Sequence, residues 1–332
     1  MISDAQVTII VVNWNGCHHL EPCLSALKAQ SYQPREIIVV DNGSTDGSVE
    51  YLAANFPDVR VIGLKTNLGF AAANNVAIRA SSGEYVALIN NDAYAEADWL
   101  ARMIAAAEAD RSIGLVACKM LFADQPAMIN STGVCVDRAG IAWDRAGGLP
   151  DTDPAATPVE VFGPCGGAAL YRRSMLDAIG LFDEDFFMYL EDVDLDWRAR
   201  REGWRCFYVP TARVLHHHSA SAGEGSPFKS FQLGRNKLWL IAKNYPFRAL
   251  WRYIPLIVAY DAAAVGYALI ARRDAHALRG RVAAMAGLCR MWRKRSSNTT
   301  AVRHDVSWLL PLTAPWRVTQ RYRHLAAHRP RD

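Results

Sequence analysis

Short apolar runs alternate with helical stripes along the first ninety residues. Val7–Val12 (VTIIVV) is continuous and rich in β-branched residues, the pattern of a strand buried on both faces. A helical stretch over roughly Leu20–Gln30 leads to a second such strand, Glu36–Val40. Ser44, Thr45 and Asp46 supply N-cap candidates for a helix over Val49–Asn55. Val59–Leu64 reads as a third strand, Ala71–Arg79 as a helix and Tyr85–Ile89 as a fourth strand. This order predicts parallel βαβ units in an open sheet covered on both faces, with ligands at the carboxyl ends of the strands.

The pattern then weakens. Residues 121–165 are rich in Gly, Pro and Asp, punctuated by Pro126, Pro150, Pro154, Pro158 and Pro164, and predict loops and short strands. Order returns with helices near Arg173–Ile179 and Glu191–Glu202 and a strand at Cys206–Val209. No internal repeat of solenoid length is visible.

The C-terminal stretch differs in kind. Tyr253–Ile270 is long and apolar enough to suggest a membrane span. Asp261 near its centre opposes insertion by about 2.5–3.5 kcal/mol, and seven Ile, Leu and Val residues favour it by roughly 0.3–0.6 each, so the balance is near zero. Arginines flank both ends, which removes any inside–outside bias, and a surface-lying or re-entrant segment is expected. Leu278, Val282, Met285, Cys289 and Trp292 then form one helical stripe among basic residues, a pattern that suits an anionic membrane interface. A helix packed on the body of the protein with solvated arginines is the plainer alternative. Two units are therefore expected, 1–246 and a basic helical region 247–332.

Composition sharpens that division. Residues 247–332 carry 16 Lys/Arg against 4 Asp/Glu, a balance of +12, so the rest of this +4 chain stands at −8. An acidic body with a basic tail does not suit a duplex-DNA reader and predicts no nucleic-acid partner; it suits docking on an anionic surface. Seven cysteines without CxxC spacing indicate free thiols in a reducing compartment. A strand beginning at Val7 leaves no room for a secretory leader, so a cytoplasmic protein, peripheral to the inner face of the cell membrane, is expected.

Candidate chemistry collects after the strands. The second strand ends in Asp41-Asn42-Gly43-Ser44-Thr45-Asp46-Gly47, where Asp41 could accept a bond from a pyrimidine N–H or simply close a turn. The fourth ends in Asn90-Asn91-Asp92, a place for Mg²⁺ or Mn²⁺ shared with a diphosphate, or again a turn. Glu191, Asp192, Asp194 and Asp196 open a helix among Phe, Met, Tyr, Leu and Trp. Some of this acid complements the helix N-terminus, but a carboxylate in apolar surroundings also suits a general base. In His216-His217-His218, extended backbone would place His216 and His218 on one face and His217 on the other.

Taken in series, these pieces resemble family 2 glycosyltransferases, in their rhamnosyltransferase-like branch, over residues 7–246. The resemblance runs through Ile10–Asn15, Val40–Gly47, Asn67-Leu68-Gly69-Phe70 with Asn74-Asn75, and Asn90-Asn91-Asp92. It continues through Gly166-Gly167-Ala168, Phe182–Asp194, Val214-Leu215-His216, Arg235-Asn236 and Lys243–Pro246. It implies the GT-A fold, a Rossmann-like α/β nucleotide-diphospho-sugar transferase, here with a C-terminal helical extension. By the same resemblance Asn13, Asp41 and Asn67 belong to the nucleotide site, Asp92 and His216 to the metal, and Asp192, with Glu191 beside it, to the catalytic base. Gly166, Gly167 and Ala168 match the floor of the acceptor pocket. Asn90 departs from the family's DxD, which leaves Asp92 and His216 as protein ligands for Mn²⁺ or Mg²⁺, with weak affinity for the free ion. The activity implied is inverting transfer of a sugar, with deoxythymidine-diphosphate-rhamnose as first-choice donor, to a lipid-linked glycan in cell-surface polysaccharide synthesis. A sugar-1-phosphate nucleotidyltransferase would need a Gly-rich basic loop after the first strand, where Asn13–His18 is not one. A non-catalytic nucleotide- or glycan-binding scaffold would not need Asp41, Asp92 and Asp192 together.

Overall fold

The structure, a computed structural model, describes residues 5–152, 157–217 and 226–295. The first half follows the alternation in the sequence: β1 (Val7–Asn13), α1 (Cys17–Lys28), β2 (Glu36–Asp41), α2 (Ser48–Asn55), β3 (Arg60–Gly63), α3 (Gly69–Ala80) and β4 (Tyr85–Asn90). β4, β1, β2 and β3 lie side by side and parallel. The register brings Asn13 opposite Asp41, and Val12 opposite Asn90, at one carboxyl edge. α2 starts two residues later than the cap candidates, with Gly47 in the left-handed region (φ 83°). Asp46 still serves the turn, accepting from the Ser48 N–H at 3.2 Å and the Cys17 N–H at 2.9 Å.

The sheet as a whole is mixed rather than all parallel, which corrects the expectation. β5 (Ala93–Ala95), α4 (Trp99–Glu108), the wholly buried β6 (Ile113–Phe122) and the antiparallel β7 (Gln125–Ser131) follow β4. Two short strands, β8 (Val134–Val136) and β9 (Ala142–Asp144), form a separate ribbon, and β10 (Val159–Val161) takes the edge of the main sheet. β11 (Ala168–Arg172) then inserts antiparallel between β4 and β6. After α5 (Arg173–Ile179) and α6 (Glu191–Arg201), β12 (Arg205–His216) returns parallel to β6. β12 runs well past the expected Val209, through an irregularity between Val209 and Arg213 that accommodates Pro210.

Both sheet faces are covered. Val7, Ile9 and Val11 pack with Leu20, Leu24, Trp99 and Met103 on one side. Ile10, Ile38 and Val40 pack with Ala73, Ala77, Leu176 and Leu195 on the other. A third core joins α6 to α7 (Pro227–Asn244), α8 (Phe247–Ala271) and α9 (His276–Arg293) through Trp197, Trp239, Leu240, Tyr245 and Met291. The expected unit boundary at residue 246 falls between α7 and α8. α9 nevertheless folds back on α7, where Gly280 meets the Phe231 carbonyl and Gly287 meets the Trp239 ring. Of the region assigned to 247–332, residues 296–332 lie outside the described residues, as does His218.

Candidate active site

Sheet register assembles the first corner. Asn13 Nδ2 donates to Asp41 Oδ2 (3.0 Å) and to Ser44 Oγ (3.2 Å), and the Ser44 N–H donates to Asp41 Oδ1 (2.9 Å). Asn91 Nδ2 reaches Asn13 Oδ1 at 2.7 Å, which ties the ends of β1 and β4 together. Asn67 stands one layer out: its Oδ1 accepts from Asn42 Nδ2 and from the Gly69 N–H at the start of α3. Gly43 turns this corner at φ 80°, where a Cβ would come within 2.8 Å of the Thr66 backbone. Asn13 and Asp41 thus share one polar pocket, and Asn67 braces its rim.

The second corner joins β4 to the end of β12. Asp92 and His216 are both buried, with His216 Nε2 3.3 Å from Asp92 Oδ1. His216 Nδ1 lies 2.9 Å from Asn130 Oδ1 on β7. The Asn130 contact fixes the ring and turns Nε2 towards Asp92. Asn90 Nδ2 stands 3.4 Å from the same nitrogen. Burial opposes the Asp92 charge, yet the His216 hydrogen bond and the neighbouring imidazoles hold its carboxyl below the usual range. His217 turns away: its ring packs near Tyr94 and His19, and its Nδ1 is 3.4 Å from Asp124.

The residues here fit a divalent cation in part. One hard carboxylate and one imidazole are donors that Mn²⁺ accepts. Among the described residues no group of three His, Cys, Asp or Glu side chains converges, so Asp92 and His216 are the two protein donors at this corner among them.

The third corner is the acidic helix, and its four carboxyls have three different fates. Asp192 is partly exposed; its Oδ2 accepts from the Gly166 N–H at 2.9 Å and its Oδ1 from the Val193 N–H at 2.8 Å. Burial raises its proton affinity above that of an ordinary aspartate, against the lowering effect of those two N–H groups. Glu191 points inward: its Oε2 is buried with no partner among the described residues, and burial and the neighbouring Asp192 charge push its carboxyl well above the usual range. Asp194 is a structural anion, bonded to Lys243 (2.8 Å), Arg198 (2.9 Å) and Asn244 (2.7 Å), with its pKa lowered to about 2 against the opposing effect of burial. Asp196 is buried against Gly163, where a Cβ would sit 1.8 Å from its Oδ2, and burial likewise pushes its carboxyl well above the usual range. Only Asp192 keeps a route to a ligand.

Gly166 and Gly167 span the gap between these corners. A Cβ on Gly166 would stand 3.3 Å from Asp192 Oδ2, and one on Gly167 would stand 3.5 Å from Asn90 Nδ2 and 3.7 Å from His216 Cε1. Ala168 is the first residue of β11, paired with Ile89 and buried, so it holds the floor in place rather than lining it.

Sequence reasoning singled out Asn236 only as part of a motif, and its role is structural support of the base. Its Nδ2 lies 3.0, 2.9 and 2.7 Å from the carbonyls of Phe186, Met188 and Tyr189. That segment carries three non-glycine residues at positive φ: Phe187 (64°), Tyr189 (70°) and Leu190 (69°). It ends at the first residues of α6, and the Phe187 carbonyl also accepts from Ala71 in α3. Asn91 stood in the sequence reading only as the middle of the Asn90-Asn91-Asp92 motif, and Asn130 did not figure there; an asparagine's partner is set by strand register, which one sequence does not display.

The chain is similar to known proteins. The family model described as glycosyl transferase family 2 matches residues 8–180. An N-acetylglucosaminyl-diphospho-decaprenol L-rhamnosyltransferase of Mycobacterium tuberculosis is 30% identical over 243 residues, 65% of this chain and 77% of that one. The O-antigen biosynthesis protein RfbC of Myxococcus xanthus is 30% identical over 259 residues, 73% of this chain but only 20% of that longer protein. Among solved structures, GalNAc-T7 with UDP, GalNAc and Mn²⁺ superposes with a TM-score of 0.59 at 16% identity, and the match spans 72% of this chain and 48% of that one. The mannosyltransferase PcManGT of Pyrobaculum calidifontis, with GDP-Man and Mn²⁺, superposes with a TM-score of 0.52 at 20% identity, over 99% of this chain and 82% of that one. At such identities the two structures speak for the GT-A fold alone, while the family model carries the assignment: this chain is a glycosyltransferase belonging to family 2.

Proposed function

We propose that the protein transfers L-rhamnose from deoxythymidine-diphosphate-rhamnose to a hydroxyl of a lipid-linked glycan, with inversion at the anomeric carbon. One observation carries the chemistry. A partly exposed carboxylate, Asp192, stands across a side-chain-free glycine floor from the Asp92–His216 pair. A base on one side and a diphosphate-facing corner on the other is the layout of a single in-line displacement. The choice of sugar and of a lipid-linked acceptor draws on the printed name of the mycobacterial relative.

Asn13 and Asp41 hold the nucleotide from the ends of β1 and β2. Asp92 and His216 would hold a divalent cation, which when bound neutralises charge on the departing nucleoside diphosphate. Asp192 accepts the proton of the acceptor hydroxyl as its oxygen attacks the anomeric carbon. The bond to the diphosphate breaks on the opposite face, and its electron pair leaves with the phosphate oxygen. The raised proton affinity of Asp192 suits this work, since a base of ordinary carboxylate strength would attract the proton weakly. Glu191, buried, stands at the helix start beside it. The reaction is assigned to the cytoplasmic face of the cell membrane, a reducing compartment that suits seven free thiols.

The test is transfer from a panel of nucleotide sugars to a synthetic lipid-linked acceptor, with Mn²⁺ or with chelator, using wild type and Asp192→Asn. Preference for the rhamnosyl donor, and loss of about 10²–10⁴ in kcat in the variant with nucleotide binding kept, is the expected result. A different preferred donor would overturn the sugar assignment, and a variant retaining more than about a tenth of kcat would overturn the base.

A further inference from the structure

α8 and α9 leave an apolar surface that the rest of the described protein does not cover. α8 is 25 residues long, about 37 Å at 1.5 Å per residue, and only 11% of its most apolar stretch is buried. A core helix of that composition would be mostly buried. Its inner side is small and regular: Ala249, Ile257 and Ala268 face the protein. Its outer side exposes Trp251 (64%), Val258 (61%) and Ile270 (84%). Between Arg252 and Arg272 its sequence holds a single charge, Asp261.

α9 repeats the arrangement. Its buried side is Gly280, Ala284, Gly287 and Met291, set against α7. The stripe marked by the sequence faces outward, with Val282 (65%), Met285 (62%) and Trp292 (46%) exposed. Arg252, Arg272, Arg273, Arg279 and Arg293 are exposed around these faces, and none of them has an ion-pair partner among the described residues. Apolar side chains rimmed by cations match an anionic bilayer, whose headgroups take the arginines while the acyl boundary takes the rings and aliphatic groups.

Asp261 decides how the helix meets the bilayer. Its carboxylate is turned inward, 3.2 Å from Lys237 of α7 and 2.5 Å from Arg281 of α9. α7 in turn is held to the catalytic body by Asn236. A membrane-spanning α8 would either break both ion pairs or drag Lys237 and Arg281 into hydrocarbon with it. We infer that α8 and α9 form an in-plane anchor that lies on an anionic lipid surface without crossing it. The inference deepens the location given to the reaction, and its test reads lipid binding without any transfer.

The full chain is co-sedimented with vesicles of phosphatidylcholine alone and of phosphatidylcholine with phosphatidylglycerol, at low and high salt and in alkaline carbonate. Expected is binding to the anionic vesicles, at least about tenfold weaker at high salt or on neutral lipid, and release by carbonate. Val258→Glu combined with Met285→Glu changes two exposed side chains. It should reduce vesicle binding at least about tenfold while thymidine-diphosphate binding and the melting temperature stay as in wild type. Retention through carbonate would mean a span and overturn the inference. So would absence of binding, equal binding by the double variant, or a double variant that only separates a dimer of this chain. Failure of the rhamnose assignment would leave the vesicle-binding and melting readings unchanged.

Discussion

Asn236 sets the conformation of the segment that delivers the base, and replacing it with alanine measures that support. The side chain is fully buried and stands within bonding distance of three carbonyls. Phe186 keeps a second donor, Arg235 Nη2 at 2.9 Å, so the variant strands the carbonyl of Met188 and takes one hydrogen bond, about 1 kcal/mol, from that of Tyr189. A buried carbonyl left without a partner costs about 1–3 kcal/mol, which places Asn236→Ala at roughly 2–4 kcal/mol of lost stability. The segment also stores strain, since three non-glycine residues at positive φ cost of order 1 kcal/mol each or more. Without the clamp that strain drives relaxation, and the movement begins two residues before Asp192. A shift of about 1 Å at a reacting group costs on the order of 10²-fold in rate. Urea denaturation should therefore register the stability loss, and single-turnover kinetics a fall in kcat of about a hundredfold. Thymidine-diphosphate affinity should move less than about threefold, because the Asn13–Asp41–Ser44 bonds do not touch α7. A variant within about 0.5 kcal/mol of wild type, with kcat unchanged, would refute the clamp.

Three further outcomes follow from the site and its support. Asp92→Ala and His216→Ala should each weaken cation-dependent binding of the nucleoside diphosphate, whereas His217→Ala, whose ring turns away, should not; calorimetry with Mn²⁺ or chelator reads the difference. Gly167→Val places side-chain carbon against Met120, Asn90 and His216, and should lower kcat/KM for the acceptor far more than donor affinity. Asp194 has its carboxyl lowered from an ordinary 3.8 to about 2, so the stability it lends is complete above about pH 4 and lost as pH falls towards 2. That contribution is about 2 kcal/mol; acid denaturation of wild type should show it, and Lys243→Met should abolish it while costing about 3–5 kcal/mol at neutral pH by leaving the buried anion without its lysine.

The parallel half of the fold was legible because buried strands write themselves as unbroken β-branched runs, as in Val7–Val12 and Glu36–Val40. β11 was not, since Ala168–Arg172 is a short segment behind two glycines, and its antiparallel seat depends on neighbours more than fifty residues away. The acidic helix shows the same limit in the site. In sequence, Glu191, Asp192, Asp194 and Asp196 are four similar letters; partners from α7 and the Gly163 and Gly166 backbone set one as the proposed base, one as a structural anion and two as buried carboxyls with raised proton affinity. α9 misleads in the opposite sense. Its visible stripe, Leu278 to Trp292, faces outward, because the packed side is built of glycine and alanine and gives no hydrophobic signal.

The joint between α7 and α9 bears on how this protein tolerates sequence drift. A single methyl group on Gly280 would lie 2.1 Å from the Phe231 carbonyl oxygen, on Gly234 2.6 Å from the Ala277 carbonyl oxygen, and on Gly287 2.6 Å from the Trp239 ring. Two of these obstacles are backbone, which cannot swing aside as a flexible side chain does. Orthologues that keep this helix pair should therefore hold those three positions nearly invariant. The outward stripe on the same helix is free to exchange one apolar residue for another of different size. Variability along α9 should then rise and fall with a helical period, and its quiet positions should be the ones with no side chain to mark them.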